Sequence, residues 1–221
     1  MDEKLTYIYE MFPNAKCELE YNTIFQLLIA VSLSAQTTDK KVNMCTPDLF
    51  KKYPNIKDLA YADLEDVKQI IKPIGMSNTK GKNIINIAKI IHEKYDDQVP
   101  ETVEDLLTLP GVGIKTVNVV LAEGYKIPAF PVDTHVNRVA KRLYFATLKD
   151  DVSDVERKLK KKIDKEMWIQ MHHSMIFFGR YFCKAIAPRC NECKLKDKCR
   201  VNYKWNCKDV FFPSRRPSLY L

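Results

Sequence analysis

Residues 109–120 read LPGVGIKTVNVV, and the sequence on either side keeps a helical beat. Upstream TVEDLLTL and downstream KTVNVVLAEG both carry apolar residues at three-to-four spacing, which predicts two short helices joined by a tight hairpin. Pro110 ends the first helix, and Gly111 and Gly113 supply the backbone freedom of the turn. The second helix then begins with bare N–H groups. With the positive end of the helix dipole behind them, those donors form a seat for a phosphate without help from any side chain. A nucleotide-binding P-loop does not fit, because it needs a strand first and a glycine directly before the lysine, whereas Ile114 precedes Lys115 and a helix comes first.

Lys115 falls in the first turn of that second helix, where it reads as a solvated surface residue, a phosphate clamp or a nucleophile. A helix N-terminus disfavours positive charge and so favours the neutral, nucleophilic amine; a clamp needs the charge and a nucleophile needs its absence. A nearby base would decide. Asp133, in PVDTHVNR, lies 18 residues on and stands at the expected N-cap of the next helix. A helix over Lys115–Glu123 climbs roughly 12 Å, and about nine residues of extended chain can return up to about 30 Å, so Asp133 can come back beside Lys115. A capping aspartate and an unrelated surface lysine is the plainer alternative.

Working outward, the pattern stays helical. Thr23 and Gln26 form the outline of a capping box ahead of FQLLIAVSL, which is apolar on all sides as a buried helix should be. ADLEDVKQIIK, KGKNIINIAKIIHEKY, ETVEDLLTL, THVNRVAKRLY and SDVERKLKKKI repeat the spacing, with a second capping box expected at Ser153 and Glu156. Short polar connections, SLSAQTTD and PIGMSNTKG, separate helices, and no strand hairpin or alternation of strand and helix is visible. The fold class is therefore all-α. Helical periodicity is lost in KDVFFPSRRPSLYL, which reads as a tail.

No apolar run is long enough to span a bilayer, since Ile24–Leu33 is interrupted by Gln26 and Ser32, and MDEKLTYIYE lacks the apolar core of a signal peptide, so a cytoplasmic protein with no membrane partner is expected. An excess of 36 basic over 28 acidic residues favours a polyanionic partner without identifying it. Cysteine is more specific than charge. Cys183, Cys190, Cys193 and Cys199 fall within 17 residues as C-x6-C-x2-C-x5-C, while Cys17, Cys45 and Cys207 are scattered and read as ordinary thiols. Clustered thiols in a chain without a secretory signal point to a metal site, and this spacing accepts zinc or a [4Fe-4S] cluster equally.

Taken together, LPGVGIKTVNVV, PVDTHVNRVAKR and the four cysteines after HHSMIFFGRYFC resemble the endonuclease III family of DNA glycosylases with abasic-site lyase activity. SLSAQTTD, PIGMSNTKGKNI and IFFGRYFC resemble further segments of that family, so the likeness covers nearly the whole chain. It implies a helix-hairpin-helix glycosylase fold: a six-helix barrel over residues 18–127, a helical cluster domain from residues 1–17 and 128–221, and a DNA-binding cleft between them. It also implies Lys115 as nucleophile, Asp133 as essential carboxylate and a [4Fe-4S] cluster on the four cysteines. The expected partner is double-stranded DNA carrying damaged pyrimidines or abasic sites, met by a monomer near the nucleoid of a bacterial or archaeal cell.

The resemblance carries weaker assignments too. Gln36 matches the residue that fills the gap left by a flipped base, and Met76 stands where the family has a leucine or similar wedge in the base stack. Gly111, Gly113 and Ile114 belong to the phosphate grip, and His135 is a substrate contact. Ser77 replaces a common aromatic, and Ile114 replaces a frequent basic residue or proline. From Arg180 to Lys204 there are eight basic and two acidic residues, so a rigid cluster loop would present Arg189, Lys194, Lys196 and Lys198 to phosphates. His172 and His173 are expected to pack in the cluster domain.

Two other functions use part of the same pattern. An adenine glycosylase shares hairpin, aspartate and cluster, but it usually lacks the lysine and carries a long further C-terminal domain, whereas this chain ends 22 residues past Cys199. A non-enzymatic helix-hairpin-helix module with structural zinc would leave Lys115 and Asp133 unused.

Overall fold

The computed structural model describes residues 1–200, and Cys207 with the final stretch lies outside them. Among the described residues there is no strand, in keeping with the expected all-α class. Eleven α-helices follow in order among those residues: α1 (Glu3–Met11), α2 (Ile24–Leu33), α3 (Asp39–Lys52), α4 (Ile56–Ala60), α5 (Leu64–Ile71), α6 (Ser77–Lys94), α7 (Val103–Leu107), α8 (Ile114–Gly124), α9 (Thr134–Arg142), α10 (Val152–Lys160) and α11 (Trp168–Phe177). None is long and apolar enough to cross a membrane. The described residues divide into two compact units, one of Cys17–Ala129 and one of Met1–Lys16 with residues 130–200.

In the first unit α2 is the axis of the core. Eight of its ten residues are buried, which is what an all-round apolar helix requires, and α3, α6 and α8 pack against it. Each fully buried Leu or Ile here, Leu27, Leu28, Ile29 and Leu33 among them, contributes about 1.5–3 kcal/mol by leaving water. Thr23 caps the helix by accepting from Gln26 N–H. Gln26 returns a bond, but its Oε1 accepts from Asn22 N–H at 2.8 Å, one residue before the position a capping box uses. Gly124 ends α8 so close to α2 that a Cβ there would lie 3.0 Å from Ile24 Cγ2.

The structure revises two boundaries. SNTKG is not a connection: α6 starts at Ser77 rather than near Lys80, because the turn that delivers it is completed by a left-handed Met76. Gly81 then lets α6 lie against α5, with a Cβ there 3.2 Å from Leu64 Cδ1. The cap of α10 is Asp151, not Ser153. Asp151 Oδ1 accepts from Asp154 N–H and also from Ser153 Oγ, both at 2.8 Å, so the carboxylate takes the role that the hydroxyl was expected to fill.

The second unit is built on α1, α9, α10 and α11 around Leu5, Ile8, Phe130, Val136, Val139, Met171 and Phe178. Its N-terminal segment is pinned to α11 by polar side chains as well as by packing. Ser174 Oγ donates to Phe12 O at 2.9 Å, and Gln170 Nε2 donates to Pro13 O and Ala15 O at 3.0 and 3.1 Å. His172 and His173 are buried in this unit, His172 edge-on to Phe130.

Candidate functional site

In the first unit, the hairpin between α7 and α8 needs glycine at Gly111 but not at Gly113, whose extended backbone any residue could adopt with open space around it. Gly111 takes φ +75°, and its backbone lies so near α6 that a Cβ would stand 2.4 Å from Asn83 Nδ2. Val112 is buried, anchoring the turn, and its N–H donates to Leu109 O at 3.2 Å. Gly113 is the N-cap of α8 in extended conformation, and no side chain caps the helix. Its first-turn donors therefore stand at an exposed end, flanked by Ile114, which is 56% exposed, and by an exposed Lys115. Such an end can hold an anion through main chain alone.

Gln36 and Met76 are two of five exposed residues of this unit, with Asp96, Asp97 and Lys126, that share an unusual backbone. Gln36, between α2 and α3, has φ +57°, and Met76, before α6, has φ +50°. Left-handed conformations in residues other than glycine cost about 1 kcal/mol and persist only where the surroundings impose them, often at binding sites.

In the second unit, Asp133 is half-buried and is the N-cap of α9, its Oδ1 accepting from Val136 N–H at 2.8 Å. His135, two residues on, rests against a single turn of π-helix at Phe178–Phe182. A Cβ on Gly179 of that turn would come within 2.9 Å of His135 Cβ, so glycine is needed for α9 to sit this close. Two arginines that the sequence reading passed over complete the arrangement. Arg138 donates to Gly179 O at 2.7 Å, and Arg142, 1% exposed, donates to Lys184 O at 2.7 Å and to both O and Sγ of Cys183 at 3.2 and 3.3 Å. Their signal was there to be read: both fall on or beside the apolar Val136–Val139–Ala140 stripe of α9, where charge is unexpected.

The four motif cysteines are all half-buried, and Cys183, Cys193 and Cys199 pack on the core of this unit. Burial pushes the Cys193 thiol up to about 11, and Cys183, Cys199 and Cys190 lie near enough for their charges to raise it further. In chemistry this donor set suits a metal or a cluster, but among the described residues no three of its side chains are grouped closely enough to hold a metal ion. Around it the basic residues are exposed: Arg189 pairs with Glu192 and stacks on Phe182, Lys198 pairs with Glu3, and Lys194 and Lys196 lie at the surface. Cys17 is half-buried and Cys45 buried, both in the first unit.

Residues 29–165 match the family model for the HhH-GPD superfamily of base excision DNA repair proteins. The chain is 48% identical to endonuclease III of Bacillus subtilis over 206 residues, covering 93% of this chain and 94% of that one. It is 42% identical to endonuclease III of Escherichia coli K12 over 202 residues, with 91% and 95% covered. Among solved structures, a non-covalent endonuclease III–DNA complex superposes with a TM-score of 0.87 at 47% identity, covering 90% of this chain and 92% of that one. A trapped covalent endonuclease III–DNA intermediate gives 0.86 at 47%, with 89% and 92% covered.

Proposed function

This chain belongs to the HhH-GPD superfamily of base excision DNA repair proteins and, within it, to the endonuclease III family, and on that footing we propose that it is a bifunctional DNA glycosylase and abasic-site lyase acting on double-stranded DNA. Damaged, oxidised pyrimidines are its substrates, since a poorly stacked lesion is cheaper to turn out of the duplex than a normal base. The observation that carries the reading is the position of Lys115, exposed in the first turn of an uncapped helix directly after a glycine hairpin. The hairpin's main chain, Gly111 to Ile114, grips phosphate, and Lys115 is left for chemistry.

Neutral Lys115 Nζ attacks C1′, the C–N bond to the base breaks, and the base leaves with the bonding pair and takes up a proton. The nitrogen then loses a proton, its lone pair closes a C1′=N bond as the C1′–O4′ bond of the sugar ring breaks, and O4′ takes up a proton, which leaves a ring-opened protonated Schiff base. Removal of a C2′ proton then expels the 3′ phosphate by β-elimination and cuts the strand. Asp133 serves as the carboxylate that moves protons or stabilises the developing sugar cation. Gln36 and Met76 enter the duplex as the base leaves it, and His135 contacts the substrate.

Cys183, Cys190, Cys193 and Cys199 hold a [4Fe-4S] cluster, supported by the four-thiol donor set and by the family. The cluster's part is to keep the loop that carries Arg189, Lys194, Lys196 and Lys198 rigid against DNA phosphates. A brown protein absorbing at about 400 nm is the expected signature, and a colourless preparation from iron-replete cells would speak for zinc.

Borohydride trapping on a duplex with one abasic site tests the reading. A covalent protein–DNA adduct formed by the native chain and not by Lys115→Ala is expected. No adduct from folded, cluster-loaded native protein would make Lys115 a phosphate clamp and remove the lyase assignment.

A further inference from the structure

Lys80 is a lysine in the wrong place. It lies on the same stripe of α6 as Ile84, Ile87, Ala88 and Ile91, and it is 5% exposed, although an ammonium is among the costliest groups to bury. Its Nζ donates at 2.9 Å to the carbonyl of Leu33, the last residue of α2. That carbonyl belongs to the final turn of a helix, where no N–H four residues on completes the ladder, and Thr37 N–H turns instead to Ser34 O. A cation there also meets the negative end of the α2 dipole. Burial lowers the affinity of the Lys80 amine for its proton, so the position is held against a desolvation cost. An apolar side chain of the same length would fill the space more cheaply. What methionine could not supply is a directed bond.

The two ends of that bond identify what it directs. Leu33 lies three residues before Gln36, and the Lys80 main-chain N–H donates to Met76 O at 3.0 Å. That main-chain bond is the first of the α6 ladder, so Lys80 stands one turn past Met76 while its side chain reaches the end of α2 beside the Gln36 loop, and both loops carry a left-handed residue that needs to be held.

We propose that Lys80 is a positioning residue that locks the Gln36 and Met76 loops into one register, so that both side chains enter the base stack together when a nucleotide turns out. This rests on the reading of Gln36 and Met76 as residues that enter the duplex. A single strand has no opposing stack to fill, so the contribution of Lys80 belongs to duplex substrate.

The test compares single-turnover rates of Schiff-base trapping on an abasic site in duplex and in single-stranded DNA, using the full cluster-loaded chain. In Lys80→Met the duplex-to-single-strand ratio should fall about tenfold, the worth of one hydrogen bond to a charged donor. In a Gln36→Ala/Met76→Ala background the same change should cost nothing further, because Lys80 acts through those residues. Equal losses on both substrates, or a full further loss in that background, would reduce Lys80 to a residue of general stability. If Gln36→Ala and Met76→Ala lower the ratio while Lys80→Met does not, the Lys80 assignment alone fails. If they leave it unchanged, the reading of the two loops fails and takes this one with it. Lys80→Gln, which keeps a shorter donor, carries the same comparison should the methionine variant not fold.

Discussion

The guanidinium of Arg142 donates to Cys183 through both main-chain O and Sγ, at 3.2 and 3.3 Å, so the helix that Asp133 caps at one end is bonded at its other end to the first of the four cysteines. Two residues separated by 50 positions of sequence are thereby bonded to opposite ends of one helix. Removal of Arg142 should be felt in both. Arg142→Leu takes the donor from the carbonyls of Lys184 and Ala185 and leaves that of Cys183 to Arg138 alone, at a cost of about 3 kcal/mol in stability. Thermal unfolding and iron content per chain check this, and a variant with native stability and full iron loading would contradict it.

The hairpin makes a second, separable expectation. Gly111→Ala forces an L side chain into φ +75° and drives its Cβ against Asn83 Nδ2, 2.4 Å away. The backbone strain costs about 1–2 kcal/mol, and the shifted turn should weaken binding to undamaged duplex. Adding Asn83→Ala relieves the collision but not the strain, so stability should recover only in part. Denaturant midpoints and a binding titration on the three variants distinguish the two contributions. Unaltered binding by Gly111→Ala would remove the hairpin from the phosphate grip.

The features that local rules govern were readable in advance. The glycine hairpin, the uncapped start of α8, the Asp133 cap and the buried axis α2 each depend on a few adjacent residues, and they stand where the spacing put them. What escaped notice depended on distant partners. Pro47 sits inside α3 and broke its pattern, and α11 is apolar on too many sides to show a face. Lys80, Arg138 and Arg142 looked like ordinary helix charges because their acceptors, carbonyls of Leu33, Gly179 and Cys183, lie 47, 41 and 41 residues away. A charge on an apolar stripe is the one local sign of such a bond. The cap of α10 was misplaced for a different reason, since Asp151 and Ser153 both satisfy the rule and only the folded chain ranks them.

Alkali should loosen the first unit by a route that can be assigned. The Tyr21 hydroxyl is pushed up to about 12 by burial, aided by the Glu123 carboxylate and the Cys17 thiol. Tyr53 is also raised to about 12, by burial and by its hydrogen bond to Asp66. Both folded values exceed the ordinary 10.0 of the unfolded chain, so the folded state holds these protons more tightly. The stability they confer is complete below about pH 10 and is lost as pH rises from there through about 12. Urea midpoints should fall over that range, and Tyr21→Phe, which has no proton to lose, should flatten the fall. A slope that Tyr21→Phe leaves unaltered would assign the alkaline loss elsewhere.

Asp133 permits its two roles to be pulled apart. As a cap it uses Oδ1 to accept from Val136 N–H, a task that an asparagine carbonyl performs about as well. As a participant in proton transfer or charge stabilisation it needs the carboxylate itself, which asparagine cannot supply. Asp133→Asn should therefore fold within about 0.5 kcal/mol of the native protein, whereas Asp133→Ala should lose about 1 kcal/mol with the cap. Base release by Asp133→Asn should nevertheless drop by about 10²–10⁴-fold, a range typical of a lost acid–base group. The pairing of native stability with depressed turnover is the discriminating result. If the asparagine variant releases damaged base at the native rate, Asp133 is a helix cap only, and the carboxylate that the chemistry requires must be sought elsewhere in the chain.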